Sequence, residues 1–231
     1  MPLARANAID LFYDEIGDAK APALLLIMGL GTQMIGWPEA FCGRLADRGF
    51  RVIRFDNRDI GLSTKIENAP KTVERRSKAG ATRAGRRRPV DAARRPAPDE
   101  REASIQFGMN VYKVIGSPGY PSPESELRAK VERAFDRSYY LAGYGRQLAA
   151  VLATGSRVEL LKTIRVPTLL LHGADDPLIP VAAGRDTARH IPGAALKIIP
   201  GWGHDIPTAL IPTLVEAITA HCERADRAAA A

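Results

Sequence analysis

Two continuous apolar runs constrain this chain most: "APALLLIMGLG" at residues 21–31 and "VPTLLLHGADDP" at residues 166–177. A strand with one wet face alternates apolar and polar residues. These runs do not alternate, and each ends in glycine, so both read as strands buried on both faces of a parallel sheet. Such strands need helices on both sides, and the intervening sequence supplies them. "WPEAFCGRLADRGF" places Phe41, Leu45 and Ala46 on one helical face and stops at Gly49. "PVAAGRDTARHIPG" reads as a short helix closed by Pro192 and Gly193. "TALIPTLVEAITAHCERA" carries Leu210, Leu214 and Ile218 one turn apart. "AIDLFYDEIG" alternates as a strand of an N-terminal hairpin, while "RVIRFDNRDIG" and "ALKIIPGWGHD" supply two further strands.

The expected organisation has four parts. Residues 1–70 and 164–231 form the two halves of an α/β core. Residues 101–163 are helical and form a small cap, with Ser122 as an N-cap, Pro123 at the first helical position, and Leu127, Val131 and Phe135 on one face. Residues 71–100 are a basic low-complexity segment expected to be disordered.

That segment explains the net charge of +7. Residues 71–97 hold ten Lys or Arg against Glu74 and Asp91, a balance of +8, which leaves −1 for the remainder. The segment has no aromatic residue for stacking on bases, so a nucleic-acid partner is not expected. Cys42 and Cys222 give neither a disulfide framework nor metal-ligand spacing, and Cys42 reads as a core residue. The longest apolar stretch falls short of the roughly 20 residues that cross a bilayer. The N-terminus lacks a signal-peptide pattern, and a cytoplasmic protein is the expectation.

Ligands of open α/β sheets bind beyond the carboxyl ends of the strands. Four loops leave such ends: "MGLGT", "DNRDIGLS", "GADDP" and "GWGHD". Asp176 and His204 follow neighbouring strands, where a carboxylate can orient an imidazole that acts as a general base. His172, His190 and His221 read as structural, and Trp37 and Trp202 as packing residues.

In their order and strand context, "LLLIMGLGT", "RFDNRDIGLS", "LLLHGADDPLIP" and "IIPGWGHDIP" resemble the α/β-hydrolase superfamily. The resemblance covers about residues 5–70 and 100–222 and is to bacterial esterase-like members, including anthracycline methylesterases. It implies an α/β-hydrolase-like parallel sheet flanked by helices, Asp176 as the acid in preference to Asp175, and His204 as the base. It also implies the backbone N–H of Leu30 as an oxyanion donor, ester substrates, and no metal or organic cofactor. The apolar cap suggests a small hydrophobic ester.

The resemblance also implies a nucleophile in a G-x-S-x-G turn, and this chain has none. Ser63 lies in the turn after a strand, Ser117 is followed by Pro118, which has no N–H to give an oxyanion, and Ser156 lacks the pattern. The nucleophile is therefore unassigned. The basic segment stands where the family has its strands five and six and the nucleophile turn. Only Val73 and Val90 among residues 71–97 belong to the strand-forming apolar set, so the two central strands are expected to be lost. The segment reads as a linker, a partner-binding arm or an out-of-frame scar. Two functions follow: a carboxylic-ester hydrolase with a Ser-His-Asp mechanism impaired by the missing serine, or a non-catalytic protein meeting an acidic partner through the basic segment. With strands five and six gone, the sheet is expected to close by pairing residues 24–28 with residues 168–172.

Overall fold

A computed structural model describes residues 2–67 and 96–230. Most of the basic segment, and the expectation of disorder for it, lies outside the described residues.

The N-terminal half builds a four-stranded sheet. Strands β1 (Leu3–Ala6) and β2 (Ile9–Ile16) form a hairpin in which Ala6 pairs with Ile9. Its two turn residues, Asn7 and Ala8, have φ of 49° and 64°, the left-handed pair of a two-residue hairpin turn. Strand β4 (Arg51–Phe55) runs antiparallel to β2 and parallel to β3 (Ala23–Leu26), giving the order β1-β2-β4-β3. Helix α1 (Glu39–Ala46) connects β3 to β4 and buries Phe41, Cys42 and Leu45. Burial pushes the Cys42 thiol pKa up, consistent with a packing role.

Four helices follow: α2 (Arg101–Ile115), α3 (Glu124–Arg137), α4 (Leu141–Thr154) and the single turn α5 (Val158–Leu161). Helix α3 begins one residue later than the sequence suggested. Pro123, not Ser122, occupies the N-cap, and no side chain caps the helix. Its first turn instead carries Glu124 and Glu126, which favour the positive end of the helix dipole. Val131 packs with Ile105 and Met109 of α2 in a small core, with Leu127 at its margin. Phe135 leaves that row to pack on Tyr139, 4.7 Å between ring centroids.

The C-terminal half alternates β5 (Leu169–Gly173), α6 (Val181–His190), β6 (Ala195–Ile199) and α7 (Ile211–Ala229). Strands β5 and β6 are parallel and form a separate two-stranded sheet.

The expected closure of the sheet is therefore not found. Among the described residues β3 pairs only with β4, and β5 only with β6. Side-chain packing holds the halves together instead. Leu26, Phe41, Leu45 and Val52 from the N-terminal half share one core with Ile199, Leu210, Ile211, Leu214 and Val215 from the C-terminal half. Helix α7 packs on α1, so the inter-half contact is made by helices that already cover the two strand pairs. Hydrophobic burial is non-directional and needs no strand register, so it joins the halves without bringing β3 to β5. One face of β3 remains uncovered: Leu25 and the following Ile27 are exposed, whereas Leu26 is buried.

Candidate active site

Asp176 and His204 come together. Strand β5 ends at Gly173, and the chain turns through Ala174 and Asp175 to Asp176. Strand β6 ends at Ile199 and leads through Gly201 to His204. Because β5 and β6 are parallel neighbours, the two loops leave the same end of the same sheet. The His204 Nδ1 lies 2.7 Å from Asp176 Oδ2. The other carboxylate oxygen, Oδ1, accepts the backbone N–H groups of Leu178 and Ile179, each at 2.8 Å. The Asp176 side chain is only 6% exposed, so its charge is compensated by these three donors.

This pattern fixes the proton on the imidazole. An ionised carboxylate only accepts, so Nδ1 carries the hydrogen and Nε2 offers its lone pair. The imidazole is 42% exposed, and its Nε2 has no protein hydrogen-bond partner among the described residues. Asp175 does different work: its Oδ2 accepts the Gly201 N–H at 2.7 Å and ties the two loops together.

The His204 loop is clasped from the other side by the turn after α2. The His204 N–H donates to the carbonyl of Ile115 at 2.7 Å, and the Gly119 N–H donates to the carbonyl of Gly201 at 2.9 Å. Gly203 permits this approach, since a Cβ there would stand 2.4 Å from the Gly116 oxygen and 2.6 Å from the Ile115 oxygen. Trp202 packs against the main core and donates its indole N–H to the carbonyl of Asp205.

Leu30 lies in the loop after β3, and its N–H donates to no protein group among the described residues. That loop is held by α4: the Gly31 N–H donates to Gln147 Oε1 at 2.9 Å, and Tyr144 packs against Gly31. No hydrogen bond joins the Leu30 loop to Asp176 or His204 among the described residues.

The serines fall apart as a set. Ser63 is buried, accepts the Phe12 N–H and donates to the carbonyl of Asp56. Ser117 is 4% exposed and bonded to Asp205 and Gly203. Ser156 is an exposed loop residue. None of the three is hydrogen-bonded to His204. The remaining histidines satisfy backbone groups: His172 contacts the carbonyl of Ile179, His190 that of Asp186, and His221 that of Pro167.

The turn after β4 holds a feature that sequence patterns did not disclose. Asp56, fully buried, accepts the N–H groups of Met34 and Leu62 and lies 2.7 Å from Arg137 Nη2 of α3. Asp59, 2% exposed, forms a two-bond ion pair with Arg146 of α4. Burial would raise the Asp59 pKa, but the hydrogen bonds from Arg146 and from the Ile66 N–H outweigh it and hold the carboxyl below its usual range. Two buried ion pairs thus fasten the helices to the β4 turn. The signal was the "DNRDIG" run itself, with two aspartates at a strand end, but nothing local named the arginines.

No group of three or more His, Cys, Asp or Glu side chains among the described residues could hold a metal ion, and no helix among them is long and apolar enough to cross a membrane.

Comparison with known proteins adds a family context. Residues 143–208, which include both Asp176 and His204, match the family model described as serine aminopeptidase, S33. The chain is 26% identical to the rhodomycin D methylesterase DauP of Streptomyces sp. (strain C5) over 288 positions, covering 95% of this chain and 97% of the relative. It is 23% identical to a bifunctional esterase/perhydrolase of Acinetobacter calcoaceticus, covering 90% and 94%. Among solved structures it is similar to the enol-lactonase of Burkholderia xenovorans LB400, with a TM-score of 0.68 at 19% identity over 96% of this chain and all of that one. It is also similar to the bromoperoxidase of Bacillus anthracis, with a TM-score of 0.65 at 17% identity, covering 96% and 99%. At these identities the structural likeness is one of fold.

Proposed function

We propose that this chain, which has the α/β-hydrolase fold and resembles ester hydrolases of that superfamily, is a carboxylic-ester hydrolase by descent whose turnover is impaired by the loss of its nucleophile. The observation that carries the proposal is the 2.7 Å bond between His204 Nδ1 and Asp176, with the second carboxylate oxygen accepting two backbone N–H groups and Nε2 without a protein hydrogen-bond partner among the described residues. That arrangement is a general base awaiting a proton donor. The loss is supported by the absence of G-x-S-x-G. It is supported also by the alignment with the methylesterase, where 95% of 231 residues fill 288 positions and about 70 positions hold no residue of this chain.

The residues act as follows. His204 Nε2 takes a proton from water as the water oxygen attacks an ester carbonyl. Asp176 stabilises the imidazolium that forms, and the Leu30 N–H donates to the carbonyl oxygen as it gains negative charge. The tetrahedral intermediate expels the alcohol oxygen, which recovers the proton from His204. No covalent acyl intermediate forms. The substrate class is a small ester with a hydrophobic acyl or alkyl group, in keeping with the methylesterase and esterase names of the relatives. The protein works as a soluble cytoplasmic enzyme without metal or organic cofactor, and helices α2 to α5 form its cap.

The test compares hydrolysis of a short p-nitrophenyl ester by the wild-type chain and by His204→Ala. The expected result is slow hydrolysis without a burst, falling to the uncatalysed rate in the variant. A burst of one product per chain, with a serine labelled by a fluorophosphonate, would overturn the impaired mechanism. Equal rates for the two proteins would favour the second reading, a non-catalytic protein that meets an acidic partner through its basic segment.

A further inference from the structure

We propose that Ser117 is a positioning residue that holds the His204 imidazole in register with Asp176. The inference rests on the reading of His204 and Asp176 as the working pair. Ser117 lies in the turn that follows α2, and its hydroxyl reaches residues on both sides of His204. It accepts the N–H of Gly203 at 3.0 Å and donates to Asp205 Oδ1 at 2.5 Å. A hydroxyl has one hydrogen to give, and Ser117 gives it to a carboxylate, a charge-assisted bond stronger than a neutral one.

The same turn receives the N–H of His204 itself through the carbonyl of Ile115 at 2.7 Å. Three consecutive residues, 203 to 205, are thereby bonded to positions 115 and 117. Pro118 contributes from the sequence: it restricts Ser117 to extended backbone and prevents α2 from continuing, so the hydroxyl is set in the turn. Without the Ser117 hydroxyl, residues 203 and 205 lose their shared anchor, and the imidazole can swing away from Asp176.

A second buried serine supplies the control. Ser63 is 3% exposed and its hydroxyl, like that of Ser117, accepts one backbone N–H and donates to one oxygen, but its partners are Phe12 and Asp56. A generic loss of a buried hydroxyl affects both sites equally. Loss of positioning affects only one.

The experiment reads the tautomer of His204 in full-length protein labelled with 15N-histidine, at about pH 8, where an unperturbed imidazole is neutral. The His204 signals are assigned by their disappearance in His204→Asn. The wild-type chain is expected to hold the Nδ1–H tautomer. Ser117→Ala is expected to give the mixture of tautomers of a free imidazole, while Ser117→Thr, which keeps the hydroxyl, and Ser63→Ala retain the wild-type signature. Should Ser117→Ala not fold, Asp205→Ala removes the same bond from a partly buried residue and carries the same expectation. Asp176→Asn separates the two levels of the proposal. The Leu178 and Ile179 N–H groups keep the amide oxygen, so the amide nitrogen faces His204 and the imidazole turns to the Nε2–H tautomer. If Asp176→Asn changes the tautomer and Ser117→Ala does not, the role of Ser117 is overturned. If Asp176→Asn leaves the tautomer unchanged, the pairing of His204 with Asp176 is overturned, and the role of Ser117 with it.

Discussion

Asp59 and Arg146 illustrate what single residues decide here. The carboxylate is nearly enclosed, and its charge is acceptable only because Arg146 and the Ile66 N–H complete its hydrogen bonds. Arg146→Ala leaves that carboxylate buried without its partner and is expected to cost about 3 kcal/mol. The pH dependence has a definite sign. The folded-state pKa of Asp59 is lowered from 3.8, so its contribution to stability is fully present above that value and is lost as the pH falls through the lower folded-state value. Urea midpoints of the wild-type chain and Arg146→Ala should therefore differ at neutral pH and converge as the pH falls below 3.8. A difference that stays constant into acid would show that Arg146 acts through packing and not through the charge of Asp59.

The elements matter because the His204 loop borrows its shape from a helix far away in sequence. Helix α2 offers the Ile115 carbonyl and the Ser117 turn, and α2 is itself held by the small core of Ile105, Met109 and Val131. Ile105→Ala removes a fully buried side chain, and a loss of about 2–4 kcal/mol is expected. The effect should reach the site: amide exchange at His204, whose N–H donates to Ile115, should accelerate along with that of α2. A His204 amide that stays as protected as in the wild type would show that β6 and the Asp175 loop hold it unaided. Gly203→Ala tests the same joint directly. The added methyl would meet the Gly116 and Ile115 oxygens, and about 1–3 kcal/mol of strain is expected in thermal unfolding. The approach of these backbones was only half legible. Glycines flanking a histidine suggest a tight loop, but not which turn packs on it.

At the scale of the whole molecule, one core spans two sheets. Leu45 and Val52 of the first half and Leu210 and Ile211 of the second are almost wholly buried in the same cluster. With such sharing the halves are expected to unfold together, although among the described residues no strand pairing joins them. Trp37 packs on this core from one half and Trp202 from the other. Single-tryptophan variants, Trp37→Phe and Trp202→Phe, should report the same urea midpoint, and Leu45→Ala should lower both midpoints equally through a loss of about 3 kcal/mol in unfolding free energy. Two separate transitions would mean that the halves are independent and that the α1–α7 contact is weak. Among the described residues β3 and β5 each have one edge without a strand partner, and beside the β3 edge Leu25 and Ile27 are exposed, a surface of the kind that templates association.

By itself the sequence determined the strands, the buried helix faces and the pairing of Asp176 with His204. Each of these is written locally: apolar runs mark strands, helical spacing marks a core face, and a Gly-His at a strand end places an imidazole beside the neighbouring loop; the burial of β3 on both faces, which its apolar run also led one to expect, is not found, since Leu25 and Ile27 are exposed. Tertiary structure alone decided the rest. Ser117 finds Asp205 across 88 positions, and Arg146 finds Asp59 across 87. No periodicity names a partner at that distance, because a hydroxyl or a guanidinium is satisfied by whichever acceptor the packed elements bring to it. The separation of the two sheets belongs with these. Strand composition made β3 and β5 fit to pair, but pairing also requires the strands to be adjacent. Their adjacency was set by where α1 and α7 bury their apolar faces, which is a property of the assembled core and not of either strand.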